Sequence, residues 1–417
     1  MGLAKSAWMA ALERGWDAPD TWVCRSCVGD DFLAEQVDAN VEECECSYCG
    51  EKTEEPSAAP TEPIMESIAG AVFYYFSSLE ASGIPYDSED FAMHSLDIRE
   101  VLGELSLNGQ EKFVEDVAGA FTETAWVRSS HAFWNAPRLH QKLGYAWESF
   151  VQTVKHHTRF HFLIPQGRDA DDPDHIPSEK ILSTIAGLLR NFDMLREVPT
   201  GTKIYRCRIK YPQDNWKPNE EQLGAPPSER ASAGRMNPAG ISYFYGAFAY
   251  GTALGEIASH PPMAIGVGTF ENIKPLMVVD LTKLADIPSV FDSDNRNERE
   301  ALLFLEKFTE EISQPIRKNG MEHINYLPSQ VVSEYLAQVF EIDESGRKID
   351  GIVFPSSIKP GCNNIVLFPS DRNWKIKFDK LKFVDGKFCQ LDDWQSVIKS
   401  LGMDDAPKGF SGLFKGI

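Results

Sequence analysis

Apolar residues recur every three or four positions through much of the first half of the chain. Phe113, Val117 and Phe121 share one stripe, Leu139, Leu143, Trp147, Phe150 and Val154 a longer one, and Ile181, Ile185, Leu188 and Phe192 a third. That period places each set on one face of a helix. Similar segments lie near 65–80 and 90–105, and Ala4, Trp8, Ala11 and Leu12 give a shorter helical start over 1–15. The pattern predicts about five helices and an all-α unit over 64–195. From 196 the texture changes. Segments 204–209, 241–248 and 276–281 alternate apolar and polar residues as strands do, and 375–384 alternates again. The runs 352–354 and 365–368 predict short buried strands, 250–259 a short helix, and the charged stretch 285–320 a helical excursion from a strand-rich core. The second half is therefore α+β over 196–375, followed by an extension, 376–417, whose role the pattern does not reveal. Residues 51–63, rich in Glu, Pro, Thr and Ala, predict a linker.

Composition narrows the class. A chain of 417 residues exceeds one ordinary core, so two or three domains are expected, and an apolar fraction of 42% can fill them. The net charge of −21 opposes a nucleic-acid surface, which needs clustered Lys and Arg to neutralise phosphates. No run approaches the length of a membrane span, and the first residues lack a signal peptide's apolar core. A cytoplasmic protein without a membrane partner is expected. The start, Met1-Gly2-Leu3-Ala4-Lys5-Ser6, fits the myristoylation pattern, but no basic patch follows to supply a second anchoring signal, and the match is read as chance.

Five of the eight cysteines lie between Cys24 and Cys49. Cys24-Arg25-Ser26-Cys27 and Cys46-Ser47-Tyr48-Cys49 are two C-x-x-C knuckles separated by 18 residues. A two-residue spacer lets both thiolates of a knuckle reach one tetrahedral ion, so Cys24, Cys27, Cys46 and Cys49 predict a structural Zn2+ site within 1–55. Cys44 can substitute for Cys46, and the spacing leaves that choice open. His156, His157 and His161 share no spacing with a thiol or carboxylate and are read as ordinary imidazoles. The acidic run Asp169-Ala170-Asp171-Asp172-Pro173-Asp174 lacks the central glycine and closing glutamate of a calcium loop.

The densest chemistry lies in 204–257. Tyr205-Arg206-Cys207-Arg208 leads to Gly234-Arg235-Met236-Asn237-Pro238-Ala239-Gly240, then to Tyr243-Phe244-Tyr245 and Thr252-Ala253-Leu254-Gly255-Glu256. Arg206 and Arg235 offer planar, permanently charged forks suited to phosphate oxygens. The glycines and Pro238 suggest a tight loop that lets backbone approach a ligand. Tyr245 supplies a ring and a hydroxyl, and Glu256 the one carboxylate close in sequence. Such a set suits a phosphate-bearing ligand with a reacting sugar. Phe354-Pro355-Ser356-Ser357 and Asn363-Asn364 come much later, Ser356 standing 100 positions after Glu256. Arg208 is expected to be a strand-surface charge and Tyr243 a core residue. Gly266 and Gly268 lack the third glycine of a dinucleotide fingerprint, so a strand or turn is expected there.

In these motifs, residues 204–256 and 351–368 resemble the RES domain family, named for its Arg, Glu and Ser. The resemblance implies an ADP-ribosyltransferase-like fold and an enzyme that cleaves NAD+ with release of nicotinamide, water or phosphate being the acceptor. It also implies a toxin of a bacterial toxin–antitoxin pair, and so an antitoxin or immunity protein as partner; a homo-oligomer is left open. Carried over, Arg206 and Arg235 would hold the dinucleotide phosphates, Tyr245 the nicotinamide ribose, and Glu256 the ribose 2′-hydroxyl and the charge at the anomeric carbon. Ser356, with Ser357 as its neighbour, would orient the ribose or nicotinamide end, and Asn364 would touch the ligand or cap the turn. Met236 replaces the family's usual aromatic, and the charged segment 285–320 reads as an insertion. The region before it is similar to the zinc-knuckle and HEPN-like segments that precede some RES domains. Of the Arg–His pairs that HEPN ribonucleases use, only Arg168 and His175 come close, and this unit is read as non-catalytic. The organisation expected is thus multidomain: a zinc knuckle (1–55), a helical HEPN-like domain (64–195), an α+β RES domain (196–375) and an extension (376–417). Transfer of ADP-ribose to a macromolecule and simple nucleotide binding are the alternatives to NAD+ glycohydrolase or phosphorylase activity.

Overall fold

The computed structural model describes residues 11–83, 95–129, 137–160, 176–258, 262–314, 320–356, 358–370 and 378–393, with Met9, Ser396 and Lys399. The Met1–Ser6 motif, His161, Arg168, the acidic run 169–174, His175 and Ser357 lie outside these residues. The chain divides into two compact units, Met1–Gln141 with Asp286–Leu303, and Lys142–Ala285 with Phe304–Ile417. Among the described residues no helix is long and apolar enough to cross a membrane.

The first unit is helical apart from two small sheets that the helical period did not predict. Strand β1 (Trp22–Cys24) pairs antiparallel with β2 (Ala58–Pro60), so part of the expected linker is ordered structure. Ala58 and Ala59 are fully buried, which is how an Ala/Pro-rich stretch becomes a strand rather than a tether. Helix α1 (Asp31–Ala39) begins where the Asp30 carboxylate accepts the Leu33 N–H, and α2 (Thr61–Tyr75) follows β2 directly. Strand β3 (Phe76–Ser78) ends the helical stretch expected to reach 80 and later pairs with β4 (Trp126–Arg128). Helix α3 (Ile98–Glu104) opens on a reciprocal capping box between Asp97 and Glu100, and α4 (Glu111–Ala120) carries the Phe113/Val117 stripe inward. Trp126, Phe113, Ile64, Met65 and Ile68 are wholly buried in this core, with Phe291 from the later stretch. Helix α5 (Leu139–Gln152), which from Lys142 onward belongs to the second unit, ends in a π-turn, Thr153–His157, on which His156 and His157 are exposed.

The second unit holds α6 (Ser178–Asn191) and an eight-stranded sheet. Its strands are β5 (Leu195–Val198), β6 (Lys203–Lys210), β7 (Phe244–Ala247), β8 (Met263–Asn272), β9 (Leu276–Asp280), β10 (Gly351–Pro355), β11 (Asn363–Leu367) and β12 (Leu381–Leu391). They lie in the order β12-β8-β6-β7-β11-β10-β9-β5, antiparallel except for β9 with β10. Gly266 and Gly268 fall within β8; a Cβ at Gly266 would meet the Trp216 ring at 2.4 Å, so the break in alternation reflects close packing. Strand β12 pairs with β8 from Leu381↔Asn272 to Leu391↔Met263, and the start of the C-terminal extension is therefore an edge of this sheet. Ile204, Phe244, Phe270, Val278, Val353 and Ile365 fill one cluster, and Leu254, Ile265, Val267 and Leu391 another. Helix α7 (Tyr250–Gly255) follows β7. Helix α8 (Arg296–Ser313) accounts for the charged excursion, and α9 (Leu327–Gln338) is a helix that the periodicity had not signalled.

Candidate functional site

The site begins at a split in the sheet. Strand β6 follows β8 over eight residue pairs, and β7 follows β11 from Phe244 to Ala247, yet β6 and β7 share only the pair Tyr205↔Ala247. Where they part, Arg206 Nη1 donates to the Tyr245 carbonyl at 2.9 Å, replacing a strand hydrogen bond. Its guanidinium lies 5.4 Å from the Phe244 ring centre. Burial pushes the Arg206 pKa down to about 10, which leaves it charged at neutral pH.

The glycine-rich loop is built around a side chain, not only around its glycines. Asn237 is buried and shares its amide protons among the carbonyls of Ser232, Pro238 and Ile241 at 3.0, 3.1 and 2.8 Å. Its Oδ1 accepts the Tyr245 hydroxyl at 2.8 Å, and that hydroxyl accepts the Met236 N–H at 3.0 Å. The Tyr245 proton is thus committed to the loop, and its ring is what faces the cavity. A Cβ on Gly234 would stand 2.7 Å from Asn237 Oδ1 and 2.8 Å from the Tyr245 oxygen, so this position requires glycine. Helix α9 holds the loop from outside. Gln330 Nε2 donates to the carbonyls of Gly234 and Asn237 at 2.8 and 3.0 Å, and Ser329 Oγ to that of Arg235 at 2.6 Å. Arg235 Nη1 in turn donates to the Ser313 carbonyl at 2.6 Å, at the C-terminal end of α8, where unsatisfied carbonyls favour a cation. Burial lowers the Arg235 pKa, and the nearby Glu256 carboxylate opposes that shift.

Glu256 stands just beyond α7. Ser356 Oγ and Asn364 Nδ2 both donate to its Oε1, each at 2.8 Å. Ser356 Oγ also accepts the Ile358 N–H at 3.2 Å, so its own proton is free for the carboxylate. Both side-chain bonds go to one oxygen and leave Oε2 for a ligand. Arg206, Arg235, Tyr245, Glu256 and Asn364 line a single cavity of about 350 Å³, and Ser356 joins them through Glu256. Tyr326 and Phe354 line it too and were not anticipated. Tyr326 comes from the turn ahead of α9, so only the tertiary structure brings it there; Phe354 was visible beside Pro355-Ser356. Asn237 belonged to the recognised loop motif, but its structural role was not. Arg208 bonds Gln222 Oε1 at 2.7 Å on an exposed strand face, and Tyr243 is buried against Phe368.

The four expected thiols also converge. The Sγ atoms of Cys24, Cys27, Cys46 and Cys49 lie within 4.8 Å of one another, and Cys44 is not part of the group. Cys24–Cys27, Cys24–Cys49 and Cys27–Cys46 are separated by 3.6, 3.7 and 3.8 Å. Ligands about 2.3 Å from a tetrahedral zinc stand about 3.8 Å apart, so the donor set fits that ion. Burial pushes the Cys24 thiol up to about 11; at Cys46 burial is outweighed by the N–H groups of Cys49, Tyr48 and Cys24, which hold it at about 7.

Two family models match the chain: the RES domain over residues 203–379 and HEPN/RES N-terminal domain 1 over residues 39–167. No curated protein matches it. Among solved structures, a chain of the M. tuberculosis MbcT–MbcA toxin–antitoxin complex aligns at 14% identity and a TM-score of 0.29. The alignment covers 52% of this chain and 98% of that one. So loose a likeness carries no argument about the chemistry.

Proposed function

We propose that this protein, which carries a RES domain behind a HEPN/RES N-terminal domain 1, cleaves NAD+ at the bond between nicotinamide and ribose. The observation that carries the proposal is the anchored carboxylate: Glu256, with one oxygen held by Ser356 and Asn364, shares a cavity with two arginines. Breaking the glycosidic bond builds positive charge on the anomeric carbon, and a preorganised carboxylate stabilises that charge. Oε2 of Glu256 accepts the ribose 2′-hydroxyl. Arg206 and Arg235, each with one arm tied to a carbonyl, offer their remaining N–H groups to the pyrophosphate. The pyridinium nitrogen takes the bonding electrons and leaves as neutral nicotinamide, so no protonated group is needed at the leaving side. Ser356 positions Glu256 and is not a nucleophile.

On this reading the second unit works as an ADP-ribosyltransferase-like domain, and the protein is a member of the NAD-degrading toxin group with an antitoxin as partner. A structural zinc held by Cys24, Cys27, Cys46 and Cys49 would stabilise the first unit. The decisive test is chromatographic measurement of nicotinamide released from NAD+ by purified, zinc-loaded protein beside Glu256→Gln. Release that disappears in the variant is expected. Equal release in both, or none from the folded parent, refutes the proposal. Free ADP-ribose, its phosphorylated form, or label on a macromolecule then names the acceptor.

A further inference from the structure

Arg235 is common to two cavities. Besides the one it shares with Glu256, it lines a crevice of about 200 Å³ formed by α5, the end of α8 and the start of α9. Trp147 and Val151 enter from α5, Lys155 from its π-turn, Glu311 and Gln314 from the end of α8, and Asn325 from the turn before α9. The π-turn widens the helix where Lys155 stands, and such turns concentrate at functional sites. Trp147 Nε1 donates to Glu311 Oε2 at 2.6 Å, which fixes that carboxylate and leaves Oε1 available. The cavity at Glu256 is, at about 350 Å³, near the lower end of ligand pockets, roughly 300–1,000 Å³.

We propose that the crevice is the adenosine subsite, with Arg235 holding the pyrophosphate where the two cavities share its side chain. The inference rests on the NAD+ reading above. Glu311 accepts the hydroxyls of the adenosine ribose, as acidic residues do in other dinucleotide sites. The amides of Asn325 and Gln314 carry both donors and acceptors, which an adenine edge requires. Lys155 adds a cation for the adenosine-side phosphate, and Val151 and Trp147 supply an apolar wall. None of these six residues belongs to the motifs by which the catalytic residues were recognised.

The test uses the full-length protein, with AMP as the calorimetric probe and NAD+ as substrate. Two variants keep the fold by different means: Glu311→Gln retains an acceptor for Trp147, and Gln314→Trp fills the crevice from an exposed position. Each is expected to weaken AMP binding and raise the KM for NAD+ about tenfold, the worth of one charge-assisted hydrogen bond, while kcat changes by less than about twofold. AMP should bind the Glu256→Gln protein as it binds the parent. If AMP affinity and KM are indifferent to both variants while nicotinamide release still depends on Glu256, the subsite is refuted and the NAD+ reading stands. If no release occurs but AMP binding is lost in both variants, the NAD+ reading fails and a nucleotide subsite remains. AMP that does not bind the parent refutes the subsite directly.

Discussion

Ser356 and Asn364 show how residues far apart in sequence become one functional group. Neither is acidic or basic, yet together they decide which oxygen of Glu256 is free. Removing one leaves the carboxylate still bonded by the other, so the loss should be partial. Ser356→Ala and Asn364→Leu are each expected to slow nicotinamide release about tenfold, against about 10²–10³ for Glu256→Gln. Steady-state kinetics would check the ranking; a Ser356→Ala protein as impaired as Glu256→Gln would mean that the hydroxyl acts on substrate directly. The residues that identify the site by type, Arg206, Arg235 and Glu256, were legible because a guanidinium or carboxylate among glycines is a local signal. The direction of the Ser356 proton was not, because it depends on a partner 100 positions away.

At the scale of elements, α9 and α8 hold the arginine loop. Gln330 is buried and bonds two carbonyls of that loop; Gln330→Leu strands that of Gly234, while that of Asn237 keeps the Gly234 N–H at 2.9 Å, and the bulk of the side chain changes little. A loss of about 1–3 kcal/mol in unfolding free energy is expected, with a raised KM for NAD+. Urea denaturation would measure the first and initial rates the second; unchanged stability would show that water satisfies the Gly234 carbonyl. Earlier in α8, Glu300 is wholly buried. Its carboxylate meets the His140 ring, the His140 N–H at 3.4 Å and the Tyr75 hydroxyl at 3.3 Å. Burial alone would raise its pKa, but the bonds from His140 outweigh it and hold the carboxyl below its ordinary value. A carboxyl with a depressed folded-state pKa stabilises the fold fully above its unfolded value, about 4.3, and loses that contribution as pH falls through the folded value. Glu300→Gln should therefore lower stability at pH 7 and flatten the acid limb of a pH–stability curve. A variant with the parental acid limb would count against the pairing. The hydrophobic period revealed α8 as a helix but not the buried carboxylate on it, since charged residues on an amphipathic helix are normally its solvated side.

Across the whole molecule, the proposed zinc site at the four thiols would tie metal content to folding of the first unit. Cys24, Cys27 and Cys46 are buried within its core, so losing the ion leaves buried thiols without a partner. One zinc per chain is expected by elemental analysis, with a chelator lowering the melting temperature. Cys46→Ser should lose the ion and Cys44→Ser keep it, because Cys44 lies outside the thiol cluster; the reverse result would overturn the assignment. By itself the sequence displayed the candidate groups and the change of texture: the two knuckles, the arginine loop, the single carboxylate and the shift from helical to alternating pattern near 196. Each of these is written in residue type and short spacing, which a linear chain displays directly. The tertiary structure alone decided that Cys46 rather than Cys44 joins the cluster, that Ala58–Pro60 is a strand, and that the extension supplies an edge of the sheet. It likewise decided that Tyr245 serves the loop with its hydroxyl and that Tyr326 reaches the cavity. Those outcomes come from contacts between distant segments, where packing and the need to pair buried polar groups outweigh any local preference.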